Sequence, residues 1–331
     1  MRVIVYFEIM KSSFCFFSCC WLMAILVSGC KEPTTPPSTA NAKRAEVELV
    51  ILGVAQDAGY PQSDCKKSCC KDVWMDPSRR KMVSCLGLRD RQSGKAWMLD
   101  ATPDFRDQLQ ILTNTPEHNY SLDGIFLTHA HMGHYTGLMH LGREAMGAQA
   151  IKVHAMPAMQ EFLADNGPWS QLVSLENIRL MDLQTSLPVV LAEGRIRVTP
   201  LLVPHRDEFS ETVGYRIEVG DNSYLFIPDI DKWAKWDRDI IALIKEVDLA
   251  FLDGTFYRNG EIWGRDMSQI PHPFIEESMA LFSDLSLEDR AKVHFIHLNH
   301  TNPLLNRDSD EYLSFIKSGF RLAEEGEVLA L

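Results

Sequence analysis

The sequence predicts an α/β fold in which a two-sheet core carries helices outside. Three observations predict it. Apolar runs of strand length alternate with amphipathic stretches of helix length from residue 47 onward. Many of the runs are apolar throughout rather than at alternate positions, so both faces of each strand need cover. A two-sheet core with helices outside is the layer arrangement that supplies it. Finally, strand after strand ends on a chemically useful residue followed by a turn: Asp100, Thr128-His129, Val203-Pro204-His205, Asp229, Asp253 and His297. Such groups can converge on one rim.

In chain order, 47-VELVILG-53, 95-KAWMLD-100, 123-DGIFLT-128 and 151-IKVHA-155 read as strands, each a short apolar run. They are followed by 195-RIRVTPLLV-203, 212-TVGYRIEV-219, 223-SYLFIPD-229, 248-DLAFLD-253 and 292-KVHFIHL-298. Helices are expected where apolar positions recur at helical spacing: 103–113, 134–146, 157–167, 238–247 and 308–318. Nothing divides residues 47–331, which are enough for one large domain.

The first thirty residues stand outside the fold. Lys11 precedes an apolar run from Phe14 to Val27, and Val27-Ser28-Gly29-Cys30 closes it with small residues. That is the layout of a secretory signal, and the run is too short for a natural membrane span. Ending on Cys30, it resembles a bacterial lipoprotein signal, which implies lipidation of Cys30, a membrane anchor and an extracytoplasmic place in the cell envelope. Residues 31–46, rich in Pro, Thr and Ser, read as a flexible tether. Removing Arg2, Lys11 and Glu8 with the signal leaves 31 basic and 44 acidic side chains, a formal charge of −13. That balance argues against a nucleic-acid groove, which needs a basic stripe, and leaves room for a small anionic substrate held by metal.

Beyond Cys30 the chain keeps Cys65, Cys69, Cys70 and Cys85. Three cysteines within six residues suit a metal knot, or alternatively a Cys65–Cys69 or Cys65–Cys70 disulfide in an oxidising compartment. The sharpest motif is 129-HAHMGH-134, directly after the strand DGIFLT. Three imidazoles on a tight loop can point at one or two neighbouring ions, and neutral imidazole serves zinc, iron and manganese.

This segment resembles the HxHxDH signature of metallo-β-lactamase-fold proteins, with Gly133 where that signature carries aspartate. The resemblance implies the αββα sandwich. It also implies a first metal site of His129, His131 and His205, a second of His134 and His297, and Asp229 as the bridge. Within that superfamily the chain is similar, through 52-LGVAQDAGYPQSDC-65 and 296-IHLNHTNPLLN-306, to the B protein of pyrroloquinoline quinone (PQQ) biosynthesis and to related cyclic phosphodiesterases. The phosphodiesterase likeness implies a structural zinc on Cys65, Cys69, Cys70 and His300, although Cys-x₃-Cys-Cys departs from the commoner Cys-x-Cys-x₂-Cys. It also implies a general acid at His272, where the bland alternative is a helix-start histidine between two prolines. Asp253 could orient His272 or a metal ligand, and Gln56 and Asp57 are candidates for touching substrate.

Glycine at 133 can neither hold an ion nor orient a nucleophile. The active centre is therefore expected to bind one or two ions, zinc or iron. A metal-dependent hydrolase of a phosphodiester or other small anionic ester is the leading reading. The alternatives are an iron-dependent oxidase or hydroxylase and a non-catalytic, lipid-anchored metal-binding protein.

Overall fold

Residues 46–331 are described by a computed structural model. The signal with Cys30, and the tether up to residue 45, lie outside the described residues. Strands β1 (Val47–Gly53), β2 (Cys85–Asp90), β3 (Lys95–Leu99), β4 (Ser121–Phe126), β5 (Ile151–Ala155) and β6 (Ile178–Asp182) follow one another across a first sheet. A second sheet takes β7 (Val189–Leu191), β8 (Ile196–Leu202), β9 (Val213–Val219), β10 (Asn222–Ile227), β11 (Leu249–Asp253), β12 (Val293–Ile296) and β13 (Arg321–Leu322). The last strand, β14 (Val328–Ala330), returns to the first sheet, with Leu329 opposite Leu49 on β1. Both sheets are mixed: β3 to β6 and β10 to β13 run parallel, and the other pairings are antiparallel.

The unbroken apolar runs now have a physical reason. On β1, Leu49 and Ile51 enter the layer between the sheets with Leu86, Phe126, Tyr215 and Phe226, while Val50 and Leu52 face the helices outside. On β10, Phe226 faces inward, and Leu225 and Ile227 pack outward against Ile244 and Phe282. Burying such a side chain stabilises by about 1.5–3 kcal/mol, and both faces supply it. Register therefore rests on fit rather than on polarity. Gly87 on β2 is one determinant, since a Cβ there would lie 2.4 Å from Leu112 Cδ1 and 2.9 Å from Leu52 Cδ1.

Helices cover both outer faces, among them Phe105–Thr113, Pro157–Asp165, Ile240–Glu246 and Asp310–Lys317. The helix expected over 134–146 is shorter than its pattern: one α-turn at Met132–Tyr135 leads into a 3₁₀ turn at Thr136–Leu141. Gly137 sits so close to Thr102 that a Cβ would meet its carbonyl at 2.2 Å, and this contact directs the segment onto the strand ends instead of along them. Among the described residues, no helix is long and apolar enough to cross a membrane.

Candidate metal centre

The centre is built where β3, β4, β10, β11 and β12 end. Asp100, just past β3 and fully buried, adopts a positive φ of 72°. Its carboxylate accepts from Thr128 N at 2.8 Å and Thr128 Oγ1 at 3.1 Å, and lies 2.7 Å from His134 Nδ1. One carboxylate thus pins the histidine loop and orients His134, a recurrent device for aiming an imidazole at a metal. His134 Nε2 is left 3.4 Å from Asp57 Oδ1 and 3.8 Å from Asp229 Oδ2.

Asp229 follows β10 and is central. Its oxygens lie 3.4 Å from His129 Nε2, 3.2 Å from His205 Nε2 and 3.2 Å from His272 Nδ1. His129, His131, His205 and Asp229 present ligand atoms within 4.8 Å of one another, and Asp57, His134 and His297 form a second such group. His297, with φ 65°, has Nδ1 held by Thr255 Oγ1 at 2.9 Å, so that Nε2 points inward. Among the histidines of the centre, His131 stands furthest toward solvent, with Nε2 2.9 Å from Glu208 Oε2 and Nδ1 2.8 Å from His129 Nε2.

The donor set fits a metal. His134 Nε2, both ring nitrogens of His205, His297 Nε2, Asp229 Oδ1 and Asp57 Oδ1 are buried and lack any hydrogen-bond partner. Buried polar atoms are ordinarily paired, because leaving one unpaired is costly. Here several converge, all of them nitrogen or carboxylate oxygen, the ligand types of zinc and iron.

Electrostatics follow from burial and the carboxylates. Burial holds His129 well below the ordinary imidazole pKa and His205 down at about 4, so both are neutral and ready to ligate. Burial also opposes charge on His134, but Asp100 and Asp57 outweigh it and raise its pKa. Likewise burial disfavours ionised Asp229, and His205, His272 and His129 overcome it.

His272 comes to the same rim. Its Nδ1 lies 2.8 Å from Asp253 Oδ2, and Asp253 Oδ1 accepts from Thr255 N and Oγ1. Burial lowers the His272 pKa, yet Asp253 and Asp229 raise it to about 9. Asp229, Asp253 and His272 also lie close enough to form a ligand group of their own.

A second cluster lies in the same region of the chain. Cys65, Cys69, Cys70 and His300 converge within 4.8 Å, and all four cysteines among the described residues are free thiols, so neither candidate disulfide is formed. The Cys65 and Cys69 sulfurs are 3.6 Å apart. Two thiolates about 2.3 Å from one tetrahedral ion lie about 3.8 Å apart. The helix Ser68–Met75 places Cys69 and Cys70 in its first turn, and this lets the adjacent pair share one site. Burial pushes the Cys70 thiol up to about 12.

Sequence reasoning named Asp100 only as a strand end, without its role, and missed Thr255 and Glu208, which carry no local signal at all. Gln56 and Asp57, candidates for substrate contact, lie against the centre: Gln56 Nε2 donates to Asp57 Oδ2 at 3.4 Å, and Asn299 Nδ2 donates to Gln56 Oε1. Trp233 and Trp236 pack in the core beside Phe282. His140 and His154 stack on Phe105 and Phe126, away from the cluster.

Comparison with known proteins agrees with the fold. The chain is 27% identical over 312 residues to the coenzyme PQQ synthesis protein B of Xanthomonas axonopodis pv. citri, covering 86% of this chain and all of the relative. Among solved structures it is similar to a zinc-bound PqqB from Methylobacterium extorquens, with a TM-score of 0.71, 24% identity, and coverage of 86% of this chain and 100% of that one. It is also similar to a diphosphatase of the PhnP family, with a TM-score of 0.60, 21% identity, and coverage of 86% and 96%. The beta-lactamase superfamily domain matches residues 97–298, more than half of the chain. With two mixed sheets, helices on both outer faces and this match, the chain belongs to the beta-lactamase superfamily.

Proposed function

We propose that this chain is a metal-dependent hydrolase of a small anionic ester, with a phosphodiester as the leading substrate class. One observation carries the reading: two histidine and carboxylate groups, each able to hold an ion, meet at Asp229, whose oxygens lie within 3.8 Å of His129, His134 and His205. His129, His131 and His205 would hold a first ion, His134 and His297 a second, with Asp229 between them. Ions bound there supply Lewis acidity and a water activated for attack on phosphorus or an acyl carbon.

The chain's own residues supply the remainder. Asp100 and Thr255 orient His134 and His297 through their Nδ1 edges. Asp253 holds the Nδ1 edge of His272, which keeps a proton at neutral pH and can deliver one from Nε2 to a departing alkoxide. Cys65, Cys69, Cys70 and His300 would bind a structural zinc, tying the loop after β1 to the segment that carries His297. The anchor at Cys30 would place this chemistry at the membrane surface of the cell envelope.

Turnover of phosphodiester and carboxylic ester panels by the zinc-loaded protein, with loss in His131→Ala, tests this reading. A fully loaded protein inert on both panels sinks it. The full-length likeness to PQQ synthesis protein B favours a second reading, iron-dependent oxidation, marked by oxygen consumption and by loss of activity when zinc replaces iron. Stable metal loading with neither activity leaves a metal-binding protein.

A further inference from the structure

We propose that Asp57 is the carboxylate ligand of the second ion, standing in from the loop after β1 for the aspartate that Gly133 replaces. The assignment rests on the metal-centre reading above and deepens it.

The two positions exclude each other. A Cβ on Gly133 would lie 2.2 Å from Asp57 Oδ1 and 2.5 Å from Asp57 Cα. Glycine at 133 is what admits Asp57, and any side chain at 133 would evict it. The carboxylate thus occupies the space beside 133 although it arrives from a segment more than seventy residues upstream.

The geometry is that of a ligand. Asp57 Oδ1 lies 3.4 Å from His134 Nε2 and 3.8 Å from His297 Nε2, and all three atoms are buried without a hydrogen-bond partner. Ligands about 2.1 Å from one tetrahedral ion lie about 3.4 Å apart. The other oxygen is anchored: Asp57 Oδ2 accepts from Gln56 Nε2, and Gln56 Oε1 accepts from Asn299 Nδ2. The backbone repeats the tie, Gln56 N donating to Leu298 O and Leu298 N to Val54 O. Asp57 is therefore fixed to the segment that carries His297. Without it, the carboxylate left beside His134 Nε2 would be Asp229, at 3.8 Å, which His129 and His205 also use.

The test is zinc stoichiometry and affinity in the full chain, by elemental analysis and graded chelator competition, for wild type, Asp57→Asn and Gly133→Ala. Asp57→Asn keeps the shape and removes the charge. Gly133→Ala keeps Asp57 but pushes it aside. In both variants the second active-centre ion should be lost or bound at least about tenfold more weakly, while the first ion and the cysteine-bound zinc stay. Retention of the second ion with wild-type affinity in either folded variant overturns the assignment, as does a wild-type centre that holds a single ion. Should Gly133→Ala fail to fold, Asp57→Asn decides alone. Hydrolysis is measured separately: a wild type that binds both ions yet hydrolyses nothing refutes the proposed function and leaves Asp57 as a ligand.

Discussion

Replacing Asp100 by asparagine tests how the second ion is held. Asp100 Oδ2 lies 2.7 Å from His134 Nδ1, so the carboxylate accepts a hydrogen bond from Nδ1–H and leaves Nε2, which faces Asp57 and Asp229, as the edge that gives up its proton when an ion binds. An amide keeps the shape, and its oxygen can still accept from Thr128 N. Its NH₂ group then faces His134 Nδ1. The imidazole responds by moving its proton to Nε2, the edge that must be bare to bind metal. Returning that proton sets N–H against N–H in a fully buried pair. A buried donor left unsatisfied costs about 1–3 kcal/mol, equivalent to about a 5–150-fold loss of ion affinity. Graded chelator competition with zinc-loaded protein, beside a thermal melt, measures it. The second ion should weaken within that range, the first ion and the cysteine-bound zinc should stay, and the fold should persist. Wild-type affinity for the second ion in Asp100→Asn would refute the argument that Asp100 sets the tautomer.

Three further predictions follow from other parts of the molecule. Cys69→Ser should release one zinc, seen as a drop of one ion per chain, with the active-centre metals retained; unchanged zinc content would remove the knot. His272→Gln should cut turnover by about 10²–10⁴-fold on esters with poor leaving groups and far less on nitrophenyl esters, at constant metal content; equal losses on both would make His272 structural. Buried His154, whose pKa burial depresses to about 4, is neutral when folded, whereas the unfolded imidazole protonates below about 6.5. The unfolded state therefore gains protons first, and stability falls as pH drops from 6.5 toward 4. His154→Leu should remove about 2 kcal/mol of the stability lost between pH 7 and 5, as read by denaturant melts at the two values. An identical pH slope in wild type and variant would refute it.

Much of the fold was legible because the chain repeats one signal. Segments such as VELVILG and SYLFIPD are apolar on both faces, and only a strand between two apolar layers needs that. β2 escaped notice because Gly87 and the charged pair Arg89-Asp90 break its pattern, although Arg89 is buried and donates to the Leu112 carbonyl at 2.8 Å. The helix after His134 was misjudged for a similar reason. Its apolar spacing is helical, but the close approach of Gly137 to Thr102 tightens the backbone.

The sequence by itself determined the chemical inventory: the imidazole trio of residues 129–134, the strand-end residues Asp100, His205, Asp229, Asp253 and His297, and the cysteine cluster, to which only the family likeness added His300. These are local signals, a residue type at a fixed offset from an apolar run. Which atoms face one another was decided only by the tertiary structure. Asp100 and Thr255 orient their histidines across loops, Glu208 reaches His131 from another, and Asp57 lies beside Gly133 because Leu298 and Asn299 hold its loop there. Contacts between residues far apart in the chain arise when two sheets pack and bring strand ends to one rim, and no spacing along the chain encodes that distance.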